Sequence, residues 1–185
     1  MKPSKLLWLV ACILFAGGTV WINYEVKRKF PPQAFGGLVK ELGEVKLGQQ
    51  APDFEAEDLA GHATSLSDYN GKKPVLIDFW ATWCGPCRQA MPELQALHDE
   101  YGAKIEILSI NEGEPVDKVA AYATAQKSTL HFVLDPDAGI GSKYGVTGIP
   151  TQVLVDKQGV VRWIQVGFLP KNPLLKTELQ RLIRD

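Results

Sequence analysis

Apolar and polar residues alternate along the chain in segments that predict strands and helices in turn. Residues 75–80 form an apolar run, interrupted by Asp78, that is typical of a buried strand. Residues 87–101 then repeat apolar positions every three or four residues, which predicts a helix that Pro92 kinks. Further strands are predicted at 105–110 and 132–134, helices at 115–126, 138–144 and from Pro173 onward, and hairpins at 53–66 and 151–166. This alternation of strands and helices predicts an α/β domain of three layers.

The first 24 residues differ from the rest of the chain. They contain an uncharged apolar run, residues 6–22, between a basic amino terminus and a basic cluster at 27–29. The length of the run is at the lower end of the roughly 17–25 residues that cross a bilayer. We predict that residues 1–24 form one N-terminal transmembrane helix that anchors the protein. A cleaved signal peptide and lipidation at Cys12 stay open as alternatives.

The charge pattern alone does not orient this span. Orientation depends on which side carries more basic residues, since that side stays in the cytoplasm, and here basic residues lie on both sides. A short basic amino terminus before a first apolar helix is typical of exported anchors. We therefore expect a single-pass protein of the cytoplasmic membrane, with its C-terminal domain on the periplasmic side.

Residues 25–46 are predicted to be a linker, because they mix charges with Pro31–Pro32 and Gly36–Gly37 and show few aligned apolar positions. The folded domain is expected from 47 to 185. The chain is 45% hydrophobic, which is sufficient for a core without structural disulfides. Its formal net charge of -1 offers no basic face, so nucleic acid is not expected as a partner.

The main chemical signal is a pair of cysteines, separated by Gly85 and Pro86, at the junction between the strand at 75–80 and the helix. Unpaired amides at a helix start stabilise a thiolate, so Cys84 is the predicted nucleophile. Cys87, one turn into the helix, is the predicted resolving thiol. No cofactor is expected beyond a redox-active disulfide between these two residues.

Metal binding and a static disulfide are two other roles that a cysteine pair can have. Zinc would need two more ligands, and the third cysteine and the three histidines are too scattered to supply them, so no metal is predicted. A static disulfide is the other alternative, but short exposed loops hold the labile disulfides.

The segment from Asp78 to Cys87 resembles the active-site segment of the thioredoxin superfamily. Four further segments are similar to its membrane-anchored TlpA/ResA-like branch: Ala51–Phe54, Leu66–Asp68, Met91–Glu93 and Gly148–Thr151. The resemblance covers roughly residues 47–183. It implies a thioredoxin-like fold, three-layer α/β/α with a central mixed sheet, an N-terminal hairpin and a central αβ insert.

The resemblance and the apolar neighbours of Asp78 together imply that this carboxyl is buried beneath the cysteines. Burial would raise its pKa and suit it to accept the proton of Cys87. ResA-like proteins often lack an acid at this strand position and carry a glutamate in the first turns of the helix instead. The matching helix position here is Ala90, so the proton acceptor is expected to be thioredoxin-like.

The resemblance also implies a surface that binds the partner. Pro150 matches a position that is a cis-proline opposite the cysteines, and the backbone of Ile149 would pair with an extended partner chain. Trp83 is expected to be exposed beside the cysteines. These residues, with Gly85 and Pro86, form the predicted substrate-binding surface.

The predicted function is the reduction of protein disulfides outside the membrane by mixed-disulfide exchange. The Gly-Pro pair between the cysteines resembles reducing members of the superfamily more than strong oxidants. The resemblance implies a membrane electron donor of the CcdA or DsbD type, and apocytochrome c is the substrate to test first.

Two alternatives from other classes stay open. A peroxiredoxin-like peroxidase shares the Ala-Pro-Asp-Phe opening, but Ala81 and Ile77 stand where its motif requires threonine and proline. A copper-binding metallochaperone or adaptor could use the two cysteines as soft ligands.

Overall fold

A computed structural model describes residues 37–184 of the chain. The predicted membrane anchor and the first part of the predicted linker lie outside these residues. Within the described range, no helix is both long enough and apolar enough to cross a membrane.

The described residues form ten strands and four α-helices, nearly in the predicted order. The strands are β1 (Gly37–Leu38), β2 (Glu41–Leu42), β3 (Val45–Lys46), β4 (Glu55–Glu57), β5 (Ala63–Ser65), β6 (Val75–Trp80), β7 (Glu106–Glu112), β8 (His131–Asp135), β9 (Thr151–Val155) and β10 (Val161–Val166). The helices are α1 (Gly85–Tyr101), α2 (Val116–Gln126), α3 (Gly139–Lys143) and α4 (Pro173–Arg184), and a 3-10 turn spans Leu66–Tyr69.

The central sheet has six strands in the order β1-β10-β9-β6-β7-β8. Strand β7 runs parallel to β6, β8 runs parallel to β7, and β9 runs antiparallel to β6. Helix α1 connects β6 to β7, and α2 with β8 forms the αβ unit between this half and the antiparallel β9–β10 hairpin. The mixed sheet confirms the predicted thioredoxin-like fold.

The two faces of β6 contact different hydrophobic cores. Leu76 and Trp80 belong to a core that α1, α2 and α4 cover, whereas Ile77 and Phe79 belong to a core on the opposite face. Of the four described helices, only the short α3 covers that opposite face, together with the 3-10 turn and the small hairpins β2–β3 and β4–β5. The three predicted layers are present, and one outer layer consists mainly of hairpins.

The expected linker is wrong for residues 37–46, which pack against the domain. Strand β1 pairs with β10 at the edge of the sheet, and β2 pairs with β3. Leu42 and Val45 are buried in the core on the α3 face. The turn between them passes so close to the backbone of Gly145 that a side chain at Gly43 would touch it. Strands of two residues are too short to show a hydrophobic period in the sequence. They form because pairing with other segments stabilises them.

Candidate active site

The cysteine pair lies where β6 leads into α1, as the sequence predicts. Cys84 caps the helix, Pro86 occupies its first turn, and Cys87 lies within it. A disulfide joins the two cysteines, whose Cα atoms are 5.2 Å apart. The backbone N–H of Cys87 donates a hydrogen bond to Sγ of Cys84 at 3.2 Å. After reduction, this amide and the helix start stabilise a thiolate at Cys84.

The two sulfur atoms differ in their surroundings. Cys84 is 4% exposed, whereas Cys87 is fully buried in the core beneath α1. Trp83 is 67% exposed beside them, and Pro86 is exposed as well. Cys84 is therefore the sulfur nearer to the surface, where a partner can reach it.

The segment before β9 faces the cysteines. The Ile149–Pro150 peptide bond is cis, as the resemblance implies. The carbonyl oxygen of Ile149 lies 3.7 Å from Sγ of Cys84. Pro150 is buried, while Ile149 is half-buried and Gly148 is exposed. The structure thus brings Ile149 next to the cysteine pair, and the neighbouring residue Gly148 is exposed at the surface.

Asp78 is fully buried in the middle of β6. It shares a strand face with Leu76 and Trp80, which belong to the same core as both cysteines. Nε2 of Gln152 donates a hydrogen bond to Oδ1 of Asp78 at 3.0 Å, and Oδ2 has no hydrogen-bond partner within residues 37–184. Burial raises the pKa of Asp78 to about 7, although the bond from Gln152 acts in the opposite direction.

Asp78 is one of four buried polar residues that lie in a row across four adjacent strands. Gln165 on β10 pairs with Gln152 on β9, which pairs with Asp78 on β6, which pairs with Ser109 on β7. Each of the four is buried. Reasoning from the sequence missed this row, because Gln152 and Gln165 stand singly in apolar strands and only the register aligns them.

Glu114 is a second buried carboxylate at the site, and it was also missed. It lies in the loop between β7 and α2 and is 3% exposed. The backbone N–H of Thr82 donates to its Oε2 at 2.6 Å, and the Thr82 hydroxyl donates to its Oε1 at 2.7 Å. Nδ2 of Asn111 donates to Oε2 at 2.9 Å, and Nζ of Lys118 lies 2.8 Å from Oε1. Glu114 therefore ties the loop that carries Cys84 to the end of β7.

The charge of Glu114 is fixed by these four donors. Burial alone would raise its pKa, but the hydrogen bonds from Lys118, Asn111 and Thr82 outweigh burial and lower the pKa to about 2. The spacing of Glu114 and Lys118, four residues apart at a helix start, was the one signal in the sequence. It did not reveal Thr82 as a partner.

A third carboxyl, Glu112, also has a raised pKa, about 7, because of burial and the nearby charge of Asp135. It follows Leu108 and Ile110 on β7, whose side chains belong to the core on the α3 face. Alternation along the strand therefore directs Glu112 away from the face of Asp78 and the cysteines. Within residues 37–184, no group of three or more histidine, cysteine, aspartate and glutamate side chains could hold a metal.

A thioredoxin-like sheet, a cysteine that caps the helix after its central strand and a partner cysteine one turn later define a thioredoxin-like thiol–disulfide oxidoreductase. Comparisons with known proteins agree with this class. The family model described as AhpC/TSA matches residues 47–164. The chain belongs to this family.

The relatives are similar over nearly their whole lengths. The thioredoxin-like protein YneN of Bacillus subtilis is 38% identical over 90% of this chain and 94% of its own length. The thiol-disulfide oxidoreductase ResA of Geobacillus kaustophilus is 35% identical over 94% of this chain and 90% of its own. A solved structure from Chlorobium tepidum, described as a thiol:disulfide interchange protein DsbE, has a TM-score of 0.71 at 30% identity, over 76% of this chain and 99% of its own.

Proposed function

We propose that the protein is anchored in the cytoplasmic membrane and reduces disulfides of extracytoplasmic proteins through Cys84 and Cys87. The observation that carries this proposal is the geometry at Sγ of Cys84. This atom accepts a hydrogen bond from the Cys87 amide and lies at the start of α1, and the carbonyl oxygen of Ile149 is 3.7 Å away from it. An extended partner chain that pairs with the backbone at Ile149 would bring its own disulfide to Cys84.

The exchange runs in two steps and moves two electrons. The Cys84 thiolate attacks one sulfur of the partner disulfide, that bond breaks, and the other partner sulfur leaves as a thiolate that takes up a proton. Cys87 then loses its proton to the carboxylate of Asp78 and attacks Sγ of Cys84. The Cys84–Cys87 disulfide forms as the bond between Cys84 and the partner breaks, and the second partner sulfur leaves as a thiolate that takes up a proton from water. The partner disulfide is thereby reduced, and the cysteine pair is oxidised.

The reducing direction needs a source of electrons, for which we propose a membrane donor of the CcdA or DsbD type. The Gly-Pro pair between the cysteines, the apolar run at 6–22 and the similarity to proteins named ResA and DsbE support this reading. Apocytochrome c is the protein substrate to test first. Labelling of Cys84 in intact cells by a thiol reagent that cannot cross the membrane would support the periplasmic location, and protection until lysis would contradict it.

Trapping of the mixed disulfide tests the exchange itself. In the full-length chain, Cys87→Ser should leave Cys84 covalently joined to its partner, and mass spectrometry would identify the joined peptide. Cys84→Ser is the matched control, because it keeps Cys87 and the third cysteine, Cys12. Adducts that accumulate in Cys87→Ser alone support the proposal. An absence of adducts, or equal adducts in both variants, would overturn it.

A further inference from the structure

A cleft of about 420 Å³ lies between α1 and α4. Leu94, Leu97, Phe168 and Leu175 contribute to its largely apolar lining. The two cysteines and Trp83 are not among the residues that line it. The cleft is therefore separate from the surface where a partner would bind to Cys84.

Polar side chains lie on the inner side of this cleft. Gln152, Gln165 and Asn172 line it, and the first two belong to the polar row across the sheet. Nδ2 of Asn172 donates to Oε1 of Gln165 at 2.5 Å, and Nε2 of Gln165 donates to the carbonyl oxygen of Gly167 at 2.8 Å. Water that enters the cleft therefore meets amide groups rather than a closed apolar wall.

Gln152 connects the cleft with the buried carboxyl. It lines the cleft, and its Nε2 donates to Oδ1 of Asp78. This bond holds one carboxyl oxygen, while Oδ2 has no partner among the described residues. A carboxyl fixed by one oxygen keeps the other available to carry a proton.

We infer that Gln152 is a positioning residue for Asp78 and that water in the cleft between α1 and α4 exchanges protons with this carboxyl. The role of this proton transfer in turnover rests on the proposed function. The proton passes from the Cys87 thiol to the Asp78 carboxylate and from there to water in the cleft. A partner that covers Trp83 and Ile149 would leave this exit open.

Among the described residues, the neighbours of Asp78 in the sheet are neutral. Strands β9 and β7 contribute the neutral residues Gln152 and Ser109 at the neighbouring register positions. Helix α1 contributes Cys87, which is a thiol when reduced, and two carboxylates that line the cleft. Each carboxylate has a partner there: Glu93 accepts the backbone N–H of Lys171 at 2.9 Å, and Glu100 pairs with Lys176 of α4 at 2.9 Å. A change at Gln152 should therefore register directly in the titration of Asp78.

The first test replaces Gln152 in the oxidised full-length chain, so that no partner protein is needed. Gln152→Met keeps a similar shape and removes the donor that favours the carboxylate. The Asp78 carboxyl, followed by carbon-13 NMR and assigned with Asp78→Asn, should then bind its proton about ten-fold more tightly, with its midpoint about one pH unit higher. Gln165→Met, the same change one strand away, should leave the midpoint unchanged.

The second test closes the mouth of the cleft. Ala96 is an exposed residue of α1 that lines the cleft, so Ala96→Trp should cover the entrance. After a rapid pH jump, the infrared band of the Asp78 carboxyl should relax several-fold more slowly than in the wild type. Gln89→Trp, at an exposed position of the same helix outside the cleft lining, should relax at the wild-type rate.

Either result can overturn the inference independently of the proposed function. An unchanged Asp78 midpoint in Gln152→Met would exclude the positioning role, and Gln152→Leu provides the same measurement if the methionine variant does not fold. Equal relaxation in Ala96→Trp and Gln89→Trp would exclude the cleft as the exit. Failure of the mixed-disulfide trap would overturn the exchange reaction and leave both titration results standing.

Discussion

Two buried carboxylates flank the active-site loop, and they differ in charge. Asp78, in β6 before the loop, has one hydrogen-bond donor, and its pKa is raised to about 7. Glu114, in the β7–α2 loop beside it, has donors from Thr82, Asn111 and Lys118, and its pKa is lowered to about 2. Both are almost completely inaccessible to solvent. The number of donors, rather than burial, therefore decides which carboxyl is ionised at neutral pH.

This difference separates a chemical role from a structural one. Glu114 is ionised at neutral pH and holds the backbone of Thr82, two residues before Cys84. Asp78 is balanced between its two protonation states near neutral pH, which is the property that a proton acceptor needs.

Removal of Glu114 should have the largest effect on stability. Glu114→Ala leaves the partly buried backbone amide of Thr82 and the buried side-chain amide of Asn111 without their acceptor, which should lower the free energy of unfolding by about 4 kcal/mol. Chemical denaturation of the full-length chain at pH 7 measures this loss. Glu114→Gln, which keeps the shape and one acceptor oxygen, should lose less, and equal losses would contradict a role for the charge.

The contribution of Glu114 should depend on pH in a defined direction. Its pKa is lowered from the ordinary 4.5 to about 2 in the folded state. The ionised form therefore stabilises the fold fully above about pH 4.5, and this stabilisation is lost as the pH falls towards 2. The difference between the wild type and Glu114→Ala should shrink over that range, whereas a constant difference would contradict the assigned charge.

Asp78 should show the opposite behaviour. Its pKa is raised from the ordinary 3.8 to about 7 in the folded state, so folding favours the protonated form. Wild-type stability should therefore fall as the pH rises from about 4 to about 7, and the Asp78→Asn variant should avoid the part of this loss that Asp78 causes, while the part caused by Glu112 remains in both proteins. At pH 8 the variant should be more stable than the wild type by on the order of 3 kcal/mol. If the free energy of unfolding depends on pH in the same way in both proteins, ionisation of Asp78 does not destabilise the fold.

Lys118 should have the smallest effect. It donates to Glu114, but its side chain is 53% exposed, and solvent screens such pairs. Lys118→Ala should lower the free energy of unfolding by about 0.5 kcal/mol or less. The same denaturation experiment measures this loss. A loss as large as that of Glu114→Ala would mean that the ion pair with Lys118, rather than the hydrogen bonds from Thr82 and Asn111, accounts for the stabilisation by Glu114.

The sequence was sufficient to predict elements whose pattern is long and local. The apolar run of β6 and the repeated spacing in α1 identify those elements, and the motif that joins them places Cys84 and Cys87 correctly. The apolar neighbours of Asp78 and the resemblance to thioredoxins together predict its burial, which the structure confirms. In each case the evidence lies within a few consecutive residues.

Features that depend on contacts between distant segments were not predictable in the same way. Leu42 and Val45 belong to two-residue strands that exist because of tertiary pairing, whereas the local sequence of residues 37–46 predicts a linker. Val116, the first apolar position of α2, is exposed because it lies at the helix start, whereas Val119 is buried. Gln152 acquires its role only through register with Asp78, 74 positions away in the chain.

The central claim is that Asp78 accepts the proton of Cys87 when the mixed disulfide is resolved. The direct measurement is the rate of that single step, from pH 5 to pH 9, in the full-length wild type and in Asp78→Asn. The wild-type rate should rise with a midpoint near pH 7, and Asp78→Asn should lose this midpoint and resolve at least about 100-fold more slowly at pH 8. If both proteins show the same midpoint and similar rates, Asp78 does not take the proton.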